Sequence, residues 1–138
     1  MTRFIFFLIL FSLGCNSSNH SKNYQELKEN KGIGPITNVI LNNPIDLSMA
    51  SSGEKLFNQL CTACHMVKEE SIGPSISGIL DRRSPEWVMN LLLNPNQMLE
   101  EDPIAKDLLV QYNNIYMYNQ NLIEEEAREI LEYFRTLD

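Results

Sequence analysis

The chain has 138 residues, of which 43% are apolar and 21% charged, and this length suits one compact domain. Its formal net charge is -7, from 18 acidic and 11 basic residues, and no run of Lys or Arg is present to neutralise a phosphate backbone. These values exclude a nucleic-acid-binding protein and favour a partner with a basic surface. No apolar run reaches the roughly 18 residues that a membrane-spanning helix requires.

The N-terminus has the pattern of an export signal. Residues 1–14 combine a charged start, an apolar stretch and a small-residue end, so we predict a signal peptide and an exported protein. Cys15 follows directly, and residues 12–15 (Ser-Leu-Gly-Cys) resemble a bacterial lipoprotein box, in which the cysteine becomes the lipidated N-terminus. This resemblance implies a protein anchored through Cys15 to the periplasmic side of a bacterial membrane. An ordinary cleaved signal is the alternative.

The composition changes twice after the signal. Residues 15–34 are polar and almost free of large apolar side chains, which predicts a flexible tether. Residues 35–45 are more apolar and bounded by prolines, which predicts an extended arm that lies against the domain. The domain is therefore expected to cover residues 35–138, with its core in residues 46–138.

Four helices are predicted in the core from their start signals and apolar periodicity. They are expected from Asp46 to Cys61, from Ser84 to Asn94, from Asp102 to about Tyr112, and from an N-cap at Asn121 to the C-terminus. The last helix has the clearest amphipathic pattern, and Glu124 at its third position forms a variant capping box. Nothing indicates a strand, so the predicted fold class is all-α.

Cys61-Thr62-Ala63-Cys64-His65 is the C-x-x-C-H pattern in which two thiols form thioethers with haem and the adjacent histidine binds the iron. A zinc site would need a second Cys or His pair, but only Cys15 and His20 remain outside the motif. A thioredoxin-like pair would need a strand before the motif, whereas the preceding segment is predicted to be helical. We therefore expect one covalently bound haem c.

With this motif, residues 46–138 resemble a monohaem class I c-type cytochrome. The other matching features are Gly53 and Phe57 before the motif, Gly73-Pro74 after it, a methionine near the last loop, and a final helix that ends Ile130-Leu131-Glu132-Tyr133-Phe134-Arg135. The resemblance implies the class I cytochrome c fold, with about four helices around the haem. In that fold the first and last helices cross, and their contact would involve Gly53, Phe57 and Tyr133.

The resemblance also implies a second axial ligand, usually a methionine on the loop before the last helix. Met117 lies in that loop and is our prediction, with Met98 as the alternative. Pro74 would accept a hydrogen bond from the other ring nitrogen of His65. For the haem propionates, the nearest group with suitable chemistry consists of Arg82, Arg83 and Trp87.

The function that the resemblance implies is electron transfer without a substrate or a catalytic residue, with delivery to a terminal oxidase or reductase. Residues 82–87 and 119–122 are also similar to lipoprotein cytochromes associated with nitrous-oxide reduction in Bacteroidota. The alternative is a haem peroxidase or gas-binding protein in which Met117 is displaced. Such a pocket normally has a polar donor such as histidine, and the domain has none beyond His65. A free shuttle and a docked subunit both remain open.

Two acidic clusters, residues 100–102 and residues 124–126, are candidates for contact with a basic redox partner. Both lie near predicted helix starts, where carboxylates stabilise the helix dipole. The second cluster also adjoins the Met117 loop and is therefore expected to steer a basic partner.

Overall fold

The structure is a computed structural model that describes residues 25–137. The predicted signal peptide and Cys15 lie outside the described residues. Within them, a helical segment at residues 25–29 is followed by α1 (Leu47–Leu60), α2 (Ile79–Arg82), α3 (Pro85–Leu93), α4 (Pro95–Glu101), α5 (Pro103–Gln111) and α6 (Glu124–Arg135), and no strand occurs. The all-α prediction is confirmed. No helix of this part of the chain is long and apolar enough to cross a membrane.

The first and last of these helices, α1 and α6, cross in direct contact. A Cβ atom at Gly53 would lie 2.0 Å from the carbonyl oxygen of Glu129, so only glycine lets the two backbones approach this closely. One turn further on, the ring of Phe57 lies 5.5 Å from that of Tyr133 and 5.8 Å from that of Phe134. The predicted crossing is confirmed.

Side-chain caps determine where α1, α3, α4 and α5 begin. Asp46, Ser84, Asn94 and Asp102 each accept a hydrogen bond from a backbone N–H of the first turn. The starts of α1, α3 and α5 were predicted, but α4 was not. Asn94 ends α3 and at the same time caps α4, because its side chain accepts the N–H of Gln97. The sequence pattern at Asn94-Pro95 predicted only the end of α3.

The last helix begins later than predicted. Asn121 is not its N-cap, because this residue has a φ of 55° and donates its N–H to the side chain of Asn119. The helix begins at Glu124, and Glu126 accepts the N–H of Ile123 at 2.9 Å. Only this half of a capping box forms, two residues further along the chain than predicted, because the aliphatic side chain of Ile123 cannot accept a hydrogen bond and a local turn closed by Asn119 precedes the helix.

The predicted tether is too long, since residues 25–34 are bonded to the domain. The side chain of Asn30 donates to Asp102 at 3.0 Å. The N–H of Ile33 donates to the sulfur of Met98 at 3.0 Å. Composition did not reveal this docking because polar groups make these hydrogen bonds and Ile33 alone adds an isoleucine, leucine or valine packed against the core within residues 30–34.

The arm, residues 35–45, lies against α3 and α6 without regular structure. Asn90 is 1% exposed and pairs with both backbone groups of Ile36, accepting its N–H and donating to its carbonyl at 2.9 Å each. At the other end, Arg135 donates to the carbonyl of Asn42 at 2.8 Å. Between these ends, Glu86 accepts the N–H of Val39 and Arg128 donates to the carbonyl of Ile40, so side chains of both α3 and α6 hold the arm.

Candidate haem site

The end of α1 brings the motif residues together. The N–H groups of Cys64 and His65 both donate to the carbonyl of Cys61, at 3.0 and 2.9 Å, so the chain folds back in a tight turn. As a result both thiols and the imidazole line the same cavity. Two cysteines three residues apart, followed by a histidine, can present their side chains to one haem only in such a turn.

The orientation of His65 is set by the segment after the motif. Its Nδ1 lies 2.9 Å from the carbonyl oxygen of Pro74, the residue to which the sequence analysis gave this role. A carbonyl can only accept, so Nδ1 carries the proton and Nε2 keeps its lone pair for the iron. Hydrogen bonding to the carbonyl also raises the electron density of the imidazole.

Gly73 has a steric role that the sequence analysis missed. Its N–H donates to the carbonyl of Cys64 at 2.9 Å, which joins this segment to the motif. A Cβ atom at Gly73 would lie 2.5 Å from Cε1 of His65. The glycine was noted as part of a Gly-Pro turn, but its close approach to the ring is a tertiary contact without a local signal.

The surroundings of Cys61 bear on the thioredoxin-like alternative. Burial and, to a lesser extent, the neighbouring Cys64 raise the pKa of the Cys61 thiol from 9.0 to about 11. In a thioredoxin-like pair the pKa of the reactive thiol is lowered, so the shift at Cys61 has the opposite direction.

A cavity of about 840 Å³, including its open mouth, lies in front of the motif, and a second lobe of about 680 Å³ adjoins it. The two lobes share part of their lining, namely Cys61, His65, Pro74, Trp87, Leu91, Leu108 and Met117. Leu108 and Leu109 of α5 line this space and also pack against the hydrophobic core. An apolar cleft of this size, with two thiols and an imidazole on one wall, fits a haem.

The two candidate methionine ligands have different surroundings. Met117 lines both lobes of the cavity that His65 lines. Met98 is fully buried on α4, and its sulfur accepts the N–H of Ile33, so this thioether helps to hold the N-terminal segment. Of the two, Met117 alone is among the residues that line the cavity.

All three propionate candidates, Arg82, Arg83 and Trp87, line the second lobe. The Arg82 guanidinium donates to the carbonyls of Ser75 and Ser77, at 3.0 and 2.8 Å, which ties it to the segment after Pro74. Burial and, to a lesser extent, the charge of Arg82 lower the pKa of Arg83. An anion in this lobe would relieve that repulsion, so the two cations suit a propionate.

The third candidate, Trp87, has a hydrogen-bond partner within the protein. Its indole Nε1 donates to Asp102 at 3.0 Å, and Asp102 is only 2% exposed. In this structure a buried carboxylate accepts the N–H, and a role of Trp87 toward a propionate stays a prediction. Trp87 still lines both lobes, and the guanidinium of Arg83 lies 5.3 Å from its ring centre.

This combination of fold and site defines a monohaem class I c-type cytochrome. The chain belongs to the Cytochrome c family, whose family model matches residues 50–138. Members of this family bind one haem c covalently and generally act as electron carriers, and Cys61 and Cys64 are positioned for its attachment.

Solved structures of the same class resemble this chain. A cytochrome c from Rhodothermus marinus is 44% identical, matches 75% of this chain and 89% of its own, and superimposes with a TM-score of 0.73. An engineered form of that protein, bound to a carbene intermediate, is also 44% identical, over 75% of this chain and 89% of its own, with a TM-score of 0.70. A cytochrome c domain from Pseudomonas putida is 34% identical over 61% of this chain and 85% of its own, with a TM-score of 0.56. Among proteins of curated function, none matches the chain significantly.

Proposed function

We propose that the protein carries single electrons through a haem c ligated by His65 and Met117, and that it delivers them to a terminal reductase or oxidase. The observation that carries the proposal is that Met117 and His65 line one cavity together with the attachment cysteines. The haem iron supplies a one-electron couple between Fe(III) and Fe(II).

The chain's own residues support transfer without rearrangement. The Pro74 carbonyl fixes the His65 ring, and Gly73 packs against that ring, so the imidazole is held in place in both redox states. Leucines of α3 and α5 form much of the cavity wall and keep water from the site. A thioether from Met117 favours the reduced iron and raises the potential.

The ligand assignment is tested by replacing each methionine with leucine, which conserves volume. Met117→Leu should abolish the near-infrared sulfur-to-iron absorption of the oxidised protein and lower its midpoint potential. Met98→Leu is the matched control and should keep both properties. If the absorption disappears in Met98→Leu and persists in Met117→Leu, the assignment is wrong. Binding of peroxide or carbon monoxide to the wild-type iron would instead support the peroxidase or gas-binding alternative.

For the partner, we propose a protein with a basic docking surface that meets the mouth of the cavity. Exposed apolar side chains lie on the loop beside this mouth, and Tyr116 and Tyr118 are 50% and 80% exposed. Glu124 and Glu125 are exposed in the first turn of α6, which follows this loop, whereas Glu126 serves as a helix cap. An apolar patch with neighbouring carboxylates suits a basic partner with an apolar centre.

The charge contribution is tested with tris(phenanthroline)cobalt(III), a cationic oxidant, in stopped-flow experiments. The rate should fall as salt rises, since the Debye length is only about 10 Å at 0.1 M. The double variant Glu124→Gln/Glu125→Gln should flatten this dependence. Glu100→Gln/Glu101→Gln, an exposed pair on α4, is the control and should retain it. Equal salt dependence in both double variants would leave α6 without a steering role.

We further propose that the protein is exported and held at the periplasmic face of a membrane by lipid on Cys15. The support is the signal-like pattern of residues 1–14 and the lipoprotein-like segment that follows it. Cys15→Ser should release the protein to the soluble fraction and remove the mass of the lipid. Unchanged fractionation and mass in this variant would contradict the anchor.

Among terminal acceptors, we propose a nitrous-oxide reductase. The support is the similarity of residues 82–87 and 119–122 to cytochromes associated with that reduction. The reduced protein, mixed with a purified bacterial nitrous-oxide reductase, should be oxidised only when nitrous oxide is added. Oxidation at the rate of the reductase-free control would reject this acceptor and leave the carrier function intact.

A further inference from the structure

Asp102 is a buried carboxylate that joins three parts of the molecule. It is 2% exposed, and its Oδ1 accepts the indole N–H of Trp87 at 3.0 Å and the backbone N–H of Ala105 at 2.8 Å. Its Oδ2 accepts the amide N–H of Asn30 at 3.0 Å. Among the described residues, none of the three ion pairs includes Asp102. Three N–H dipoles thus stabilise the carboxylate, and its charge also interacts with the guanidinium of Arg83, which lies 5.3 Å from the centre of the Trp87 ring.

Two of these three donors belong to the wall of the haem cavity. Trp87 lines both lobes of the cavity, and Ala105 lines the larger lobe. Asp102 also caps α5, whose Leu108 and Leu109 continue the same wall. The carboxylate therefore lies directly behind the wall and fixes both a ring and a helix start that face the cavity.

The position of the carboxylate has an electrostatic consequence. Water and salt screen a buried charge far less than an exposed one. A negative charge behind the cavity wall stabilises the oxidised iron relative to the reduced iron, because Fe(III) carries one more positive charge. The direction of this effect on the midpoint potential is downward.

We propose that Asp102 is a positioning residue of the haem site, which holds Trp87 and the start of α5 against the cavity and lowers the midpoint potential through its charge. The proposal rests on the haem occupying this cavity, and it adds a residue that contacts neither thiol nor axial ligand. In this structure the hydrogen-bond partner at the indole is a protein carboxylate.

Asp102→Asn tests the proposal in the haem-loaded full chain, because asparagine keeps an oxygen for the helix cap and removes the charge. The midpoint potential should rise relative to wild type. Asp46→Asn is the matched control, since Asp46 is an exposed N-cap that accepts from Ser48 and Met49. If Asp102→Asn has the same midpoint potential as Asp46→Asn, the charge of Asp102 does not lower the potential and this part of the proposal is wrong. A one-electron wave in both variants would still support the electron-carrier function.

The positioning part has its own readout, because the sequence contains one tryptophan and hence one indole N–H signal in NMR spectra. In the wild type this proton should exchange slowly with solvent, since it is bonded to a buried carboxylate. In Asp102→Asn the signal should shift and exchange faster, whereas in Asp46→Asn it should stay in place. Fast exchange in the wild type would overturn the proposal, and this measurement decides it even if Asp102→Asn does not fold.

Discussion

Replacing Gly53 with alanine should separate the two helices on which the fold depends. The added Cβ would lie 2.0 Å from the Glu129 carbonyl oxygen and 2.8 Å from the Ile130 nitrogen, whereas ordinary contact begins at 3.4 Å. Both neighbours are backbone atoms, so no rotamer change relieves the clash. The helices must move apart by about 1.4 Å at this point, the difference between the contact and the clash distances. That shift loosens the packing of Phe57 against Tyr133 and Phe134.

The expected cost combines two opposing terms. Overpacking costs about 3 kcal/mol at the upper end of its usual range, and the better helix propensity of alanine returns about 1 kcal/mol. The net loss of about 2 kcal/mol should lower the melting temperature of the haem-loaded protein by roughly 10 °C, as followed by far-UV circular dichroism. Ser51→Ala, at an exposed position of the same helix, is the control and should gain a few tenths of a kcal/mol at most. A melting temperature of Gly53→Ala equal to or above that of Ser51→Ala would refute the close backbone contact.

Three further predictions concern the histidine, the arm and the acid dependence of stability. Gly73→Ala should displace the His65 ring, because the new Cβ would lie 2.5 Å from Cε1 of that ring. The near-infrared absorption and the midpoint potential of the haem-loaded protein should therefore both change. Unchanged values would contradict this contact. Asn90→Ala should destabilise the protein by about 2–4 kcal/mol, because the N–H and the carbonyl of Ile36 lose their partner. The arm should then become sensitive to proteolysis. Resistance to protease equal to that of the wild type would show that the Asn90 amide is dispensable. Burial acts to raise the pKa of Glu86, but hydrogen bonds from its own N–H and that of Val39, together with Lys31, outweigh it and lower the pKa below 4.5. The stability that this shift provides is present above pH 4.5 and is lost as the pH falls through the lowered pKa of Glu86 in the folded protein. Glu86→Gln should therefore lose less stability on acidification than the wild type, as measured by guanidinium unfolding.

Local chemistry made much of the fold predictable. An aspartate or serine followed by proline or an apolar stripe marked the starts of α1, α3 and α5, and each cap bond is present. The same chemistry produced two errors. Asn94 both stops one helix and starts the next, and Asn119 closes a turn that displaces the start of α6 from Asn121. In both places two neighbouring residues could have capped a helix or closed a turn. The sequence alone did not show which side chain would accept which backbone N–H.

The site was predictable where its residues are adjacent in the chain and less so where they are distant. The C-x-x-C-H motif indicated haem attachment without any structure, and the family resemblance implied the hydrogen bond between His65 and the Pro74 carbonyl, which the structure contains. The bond from Trp87 to Asp102 and the docking of Asn30 on the same carboxylate join residues 15 and 72 positions apart. No periodicity or composition records such a contact, which depends on how α5 and the N-terminal segment pack around α3.

The central claim is that this chain carries one electron on one haem whose iron keeps two protein ligands. Spectroelectrochemical titration of the full chain, matured with a c-type haem system, tests it most directly. We expect a single reversible one-electron wave, low-spin spectra in both states, and the near-infrared sulfur-to-iron absorption in the oxidised state only. A high-spin spectrum in either state, or a wave that changes when carbon monoxide is added, would show an open position at the iron and contradict the account.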